Sequence, residues 1–301
     1  MSDIKATVLY HDNCLDGFGA AWAAWSRLGL EGKYLPVQYG QPVPWKELEG
    51  TIYLVDFCYK EKELQELLDY AERQHKVLTI IDHHKTTIDL FDSWQATGKL
   101  STVAANLNLV LDETHSGAVL TWKHFFPEEE IPIGLKLIED RDLWKFALPE
   151  TKAYCAALAV VARTFSLWSY YTLRLGVEVL LKSGELILQY QERQLHSLGK
   201  NCYYTELTYS IGAVETTVTV LACNAPAEFA SELGNRLAKI APSSIAMIWQ
   251  YVPDHDVKSN KTLVYKQCSL RSIGNADVEV ITRALGGGGH KNAAGYRQLV
   301  S

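Results

Sequence analysis

The feature that most constrains this chain is an alternation of short apolar β-rich runs with amphipathic helical stretches through its first hundred residues. Residues 6–10 (ATVLY) form such a run, and 17–28 follow with Phe18, Trp22 and Trp25 at helical spacing. Residues 51–57 (TIYLVDF) are a second strand, after which 60–74 repeat Leu64, Leu67, Leu68 and Ala71 on one helical face. Residues 77–81 and 106–111 are a third and a fourth strand. Strands separated by helices of about 12 to 15 residues predict an α/β fold with a parallel sheet of βαβ units.

The second half changes style. Residues 168–200 carry a long helical pattern (Leu173, Val177, Leu180, Leu181, Ile187, Leu188, Leu195) with Gly176 and Gly184 but no Pro, the pattern of a helix joining two domains. Beyond it, strands are expected at 216–223 and 262–270 and helices at 227–240 and 276–285, a smaller α/β domain. The expected organisation is a first domain over 1–165, a helical linker over 166–202 and a second, smaller domain over 203–301.

Composition excludes several classes. With 48% hydrophobic and 21% charged residues among 301, the chain is neither disordered nor of low complexity. A net charge of −6 argues against a general duplex-DNA binder held by phosphate neutralisation. The six cysteines are scattered without a CxxC pair, so neither a disulfide framework nor a structural zinc module has its spacing. The N-terminus is charged where a signal peptide needs its apolar core, and the longest apolar stretch, at 154–162, falls far short of the roughly 20 residues that span a bilayer. The expectation is a soluble protein of a reducing, cytoplasmic compartment.

Three of the strands end in metal-ligand chemistry. The first runs into His11, Asp12 and Asp16, the second into Asp56, and the third into Asp82, His83 and His84. In a parallel sheet these ends share one edge, and ligands bind in the crevice outside it. Several carboxylates brought together raise one another's pKa, and divalent cations relieve that cost. Mixed His/Asp donors suit manganese or a related metal. An Asp ending a strand is ordinarily a turn former or helix N-cap, and Asp16 and Asp56 taken singly are read so. The DHH triplet is different: with 14 Asp and 9 His, chance predicts only about 0.01 of them. A second rare signal is GGGGH at 286–290, whose glycines let backbone approach a ligand and whose N–H groups can cradle an anion. Upstream, Arg271 in CSLRS ends a strand and could pair bidentately with a phosphate. Ser116 is read as the start of a helix.

These residues resemble the DHH superfamily of phosphoesterases, in the branch that joins a DHH domain to a DHH-associated C-terminal domain. IDHH at 81–84 is similar to the naming motif, LVDF at 54–57 to the second metal motif and LIEDRDLW at 137–144 to the fourth. CSLRS at 268–272 and GGGGHKNAAG at 286–295 are similar to the substrate-binding strand and glycine-rich motif of the associated domain. The first motif departs from the pattern. Cys14 stands where the family carries its first Asp, and His11 lies one residue closer to Asp16 than usual. Asp12 from a shifted loop, Cys14 as a weak ligand, or fewer protein ligands are three ways of completing the first metal site.

The resemblance implies two Mn²⁺ or other divalent cations about 3.5–4 Å apart, bridged by Asp56. His11 belongs to the first; Asp16, His83 and Asp140 belong to the second. Asp82 orients an imidazole, and His84 contacts the phosphoryl group or assists protonation of the leaving oxygen. Gly287, Gly288, Gly289, His290 and Arg271 grip a phosphate across an interdomain cleft, which favours short substrates. The implied activity is hydrolysis of short RNA or DNA oligonucleotides to mononucleotides, as in the oligoribonucleases called nanoRNases, with a homodimer possible. Cyclic-dinucleotide phosphodiesterase and 3′-phosphoadenosine 5′-phosphate phosphatase use the same motifs. A processive exonuclease of the RecJ type fits a short acidic chain less well. From another class, the chain could be a non-catalytic nucleotide-binding homologue, with Cys14 marking a degenerate site.

Overall fold

The computed structural model describes residues 4–12, 14–256 and 261–300, and the chain divides into two units, Met1–Leu188 and Gln189–Ser301. The first unit begins with β1 (Ala6–His11), α1 (Leu15–Leu28), β2 (Gly32–Val37), β3 (Thr51–Val55), α2 (Glu61–Arg73) and β4 (Leu78–Asp82). It continues with α3 (Lys85–Ala96), α4 (Lys99–Val103), β5 (Leu107–Leu111), α5 (Gly117–Phe125), α6 (Ile133–Asp142), α7 (Thr151–Leu158), α8 (Phe165–Tyr171) and α9 (Arg174–Gly199). All five strands pair in parallel in the order β2-β1-β3-β4-β5.

The sheet is buried on both sides, which is why its strands read as near-continuous apolar runs. Successive residues feed opposite cores. Val8, Val55 and Ile81 pack with Phe18, Trp22, Leu135, Tyr154 and Trp168 on one face. Leu9, Leu54 and Ile80 pack with Leu64, Leu67, Phe91 and Trp94 on the other. The helix after β1 therefore lies on one face and the helix after β3 on the opposite one. That reversal opens a crevice between the C-terminal ends of the two neighbouring strands.

The expected long helix at 168–200 is two helices. The break falls at Thr172 and Leu173, where the Thr172 carbonyl accepts from Gly134 N–H at 2.9 Å and its hydroxyl turns back to Trp168 O. Strand β2 was not expected, because it lies at the sheet edge and is only partly buried, with Pro36 in its run. The division after Leu188 falls within α9 rather than at its ends.

The second unit holds β6 (Tyr203–Ile211), β7 (Val214–Asn224), α10 (Ala230–Ile240), β8 (Ile245–Asp256), β9 (Lys261–Ser272), α11 (Val278–Ala284), β10 (Gly288–His290) and β11 (Ala293–Leu299). Its sheet is mixed, in the order β10-β11-β9-β8-β7-β6, with only β7 and β8 parallel. Helix α10 covers one face through Leu233 and Leu237, and α11 the other through Val278 and Ile281. Among the described residues, no helix is long and apolar enough to cross a membrane.

Ile80, fully buried in the interior strand β4, tests the core of the first unit. Ile80→Ala removes its methyls from a close-packed layer and is expected to cost about 2–5 kcal/mol. Urea denaturation should show a lower midpoint with an unchanged slope.

Candidate metal centre

Three strand ends converge on the crevice. His11 closes β1, Asp56 follows β3, and Asp82, His83 and His84 carry β4 into α3. The Nε2 atom of His83 lies 3.2 Å from Asp56 Oδ1, 3.5 Å from Asp142 Oδ2 and 3.7 Å from Asp16 Oδ2. On the other side of Asp56, Oδ2 is 3.7 Å from His11 Nδ1. One imidazole nitrogen thus stands among three carboxylates, and Asp56 stands between two imidazoles.

Each side chain is held differently. Asp16, in the first turn of α1, accepts from the backbone N–H groups of Gly117 at 2.7 Å and Ala118 at 3.1 Å. These are unpaired donors at the start of α5, where a negative charge is favoured by the helix dipole. Ser116 caps that helix as expected, accepting from Val119 N–H. Asp56 takes a left-handed backbone, φ +54°, and is buried at 1% exposure with no hydrogen bond to either carboxylate oxygen. A non-glycine residue in that conformation carries strain, which persists where the surroundings fix it. Gly117 makes room for it: a Cβ there would lie 2.5 Å from Asp56 Cβ.

Asp82 does not face the cluster as a ligand. Its Oδ1 accepts from His83 N–H at 2.9 Å and pairs with His84 Nδ1 at 2.7 Å, while Oδ2 accepts from Thr87 Oγ1 at 2.6 Å. It fixes the start of α3 and the orientation of the His84 ring together.

The electrostatics follow from this crowding. Burial raises the Asp16 carboxyl well above its usual range, Asp56 and Asp142 add to the rise, and His83 opposes it. Burial also raises Asp142, against the pull of His83. For Asp56 burial pushes the same way, but the His11 and His83 imidazoles outweigh it and hold the carboxyl low. Burial would lower His83, yet Asp56, Asp16 and Asp142 lift it to about 10. His84 is raised in the same sense by Asp82 and Asp56.

Three donor groups, each with atoms within 4.8 Å of one another, could hold a metal ion: His11, Cys14 and Asp56; Asp56, His83 and His84; Asp16, His83 and Asp142. Asp140, expected as a ligand, is in none of them. Its oxygens are occupied by the backbone N–H groups of Ala147 and Leu148 and by the Thr151 hydroxyl at 2.5 Å, bonds that anchor the start of α7. Asp142, two residues on at the end of α6, takes the place beside His83. The spacing of the two acids could not separate them. A usable signal was local: an Asp closing a helix opposes the macrodipole, and such a violation needs a reason. Asp12 also lies outside the three groups. It accepts from Gln38 Nε2, while Cys14 joins His11 and Asp56.

In the second unit the glycine run turns out to serve its own hairpin. A Cβ at Gly287 would meet Gly295 O, and Gly289, at φ +145°, packs on Ala294. Gly286, at φ +82°, and Gly288 have open space around them. The strand register aligns His290 with Ala293 and Ala293 with Arg271, so His290 and Arg271 share a rung and a sheet face, about 10 Å apart. The Arg271 guanidinium donates to Ser231 Oγ and Leu270 O, both at 2.9 Å, and burial lowers its pKa. No carboxylate pairs with it among the described residues.

No protein-family model matches the chain. It is similar to an uncharacterized protein, R106, of Acanthamoeba polyphaga mimivirus, at 32% identity over an alignment 309 positions long. The alignment covers 96% of this chain and so takes in both units, and it spans 66% of the viral protein's own length.

The two neighbouring acids of α6 separate by experiment. Asp140→Asn weakens three hydrogen bonds to a buried carboxylate, 5% exposed, and should cost about 1–3 kcal/mol in thermal unfolding while leaving divalent-metal binding intact. Burial alone would raise the Asp140 pKa, but its donors hold it below the ordinary value. The stability difference is therefore full above the unfolded pKa of about 3.9 and fades as pH falls through the lower folded value. Asp142→Asn should do the reverse, keeping the melting temperature and weakening metal binding in calorimetric titration.

Proposed function

We propose that this chain is a metal-dependent phosphodiesterase that hydrolyses short oligonucleotides to mononucleotides, in the manner of the DHH phosphoesterases its motifs resemble. The observation that carries the reading is the gathering of Asp16, Asp56 and Asp142 around one nitrogen of His83 at the crevice of a parallel sheet. A buried carboxylate without hydrogen bonds is costly, and Asp56 has none. Divalent cations fit this donor set. His11 and Asp56 would hold one, and Asp16, Asp56, His83 and Asp142 a second, for which oxygen and imidazole donors favour Mn²⁺. Bound there, such ions neutralise phosphoryl charge and make water a nucleophile at neutral pH.

The chain's own groups supply the rest. With Nδ1 committed to Asp82, the His84 imidazole exchanges protons through Nε2. Asp82 and Asp56 favour its charged form, which suits protonation of a leaving oxygen. Asp82 holds the ring's tautomer and direction, and Asp16 is kept in place by the α5 N-terminus. In the second unit, Arg271 offers a guanidinium that no carboxylate pairs with among the described residues, the chemistry that binds a phosphate bidentately. His290 lies on the same face.

The test is turnover with Mn²⁺ on RNAs of graded length, cyclic dinucleotides, phosphoadenosine phosphate and pyrophosphate. Short oligonucleotides should be cleaved fastest, and Asp56→Ala and His83→Ala should each lose at least about a hundredfold, the scale of removing metal or acid–base catalysis. Near-normal turnover in either variant overturns the reading, as does a purified protein that retains and responds to no divalent metal. Arg271→Ala should raise KM or abolish the preference for short substrates with metal content unchanged.

A further inference from the structure

The first donor group contains a thiol. We propose that His11, Cys14 and Asp56 form a thiolate-containing site for a borderline-soft cation of the Zn²⁺ class, so that the centre has two chemically unlike positions sharing Asp56. The proposal rests on the metal-dependent reading above. Cys14 does not earn its place as a cap. It occupies the N-cap of α1, yet its side chain makes no capping bond, and that position prefers Ser, Thr, Asp or Asn. Nor is it an isolated cysteine: its sulfur lies within 4.8 Å of donor atoms of His11 and Asp56. Neither partner has its hydrogen-bonding capacity met. The two Asp56 oxygens and the Nδ1 atom of His11 are buried and make no hydrogen bond, facing one another only as an ion pair at 3.7 Å, with His83 Nε2 3.2 Å from the other Asp56 oxygen.

The three residues therefore present one nitrogen, one sulfur and one oxygen donor, a mixture that suits Zn²⁺ or Co²⁺. Mn²⁺ lies lowest in the affinity order of first-row divalent ions and prefers oxygen, which fits the position of Asp16, His83 and Asp142 instead. Cys58, the other cysteine near these strand ends, is buried and belongs to no donor group. A sulfur ligand on one side and carboxylates on the other would let the two positions select different metals from one pool.

Co²⁺ reports the answer directly, because a thiolate ligand adds a near-ultraviolet charge-transfer band to the visible absorption of the bound ion. Metal-free protein titrated with Co²⁺ should develop both. Cys14→Ser and Cys14→Asp should lose the near-ultraviolet band and keep the visible absorption from the second position. Zn²⁺ should abolish the wild-type band and protect Cys14 from iodoacetamide, read by mass spectrometry of its peptide. Visible absorption without the band in the wild-type protein overturns the proposal, as does a band that survives Cys14→Ser. Absence of any Co²⁺ binding overturns the metal-dependent reading along with it. A normal band in a protein that cleaves no phosphodiester refutes the proposed activity and leaves the site standing.

Discussion

Three carboxylates within reach of one imidazole nitrogen are the constraint around which the first unit is arranged. They lie 3.2 to 3.7 Å from His83 Nε2, and burial together with their crowding raises the Asp16 and Asp142 carboxyls against the pull of that imidazole. The protein carries that cost with partial compensations only. Asp16 has two backbone donors, Asp142 lies at the partly exposed rim, and Asp56 has neither. An arrangement that served stability alone would have replaced at least one of these acids with an apolar residue.

The scaffold's contribution is to make the crowding possible. Parallel strands end at the same level, and the change of helix face between β1 and β3 leaves that edge uncovered. Gly117 then lets the start of α5 come against Asp56, and the same turn of helix holds Asp16 through its free N–H groups. One helix terminus therefore sets the distance between two of the acids. A side chain at Gly117 would part them, which is a reason for glycine at a helix start where residues with better helix propensity are otherwise preferred.

Much of this was legible in the sequence, for a physical reason. Strand period and parallel topology fix which end of each run reaches the common edge, so His11, Asp56 and His83 could be assembled without coordinates. Asp16 was expected just past the first strand and ahead of the helix over 17–28, and the structure places it in the first turn of α1. The misplacement of Asp140 has an equally physical cause. Two acids separated by one residue on a helix point about 200° apart, and only the packing of α6 against α7 decides which one turns to the strands. In the second unit, β6 escaped notice because it is a largely exposed edge strand without an apolar run, whereas β8 carries the buried run Ile245–Ile248 and was simply passed over. The glycine-rich segment was read as ligand-facing backbone, whereas Gly287 and Gly289 are required by the close return of β11.

The two units hold opposite electrostatic surpluses. The first concentrates carboxylates that the His83 imidazole and raised carboxyl pKa values balance only in part. The second partly buries the Arg271 guanidinium with a hydroxyl and a carbonyl for company, and among the described residues no carboxylate pairs with it. A charge left without its counter-ion in a folded protein is costly to maintain, so each surplus is informative about what completes it. In the first unit the Asp and His groups around Asp56 are placed so that they could hold a metal ion. In the second, taken by itself, the forked donors of Arg271 have the chemistry that pairs with an anion.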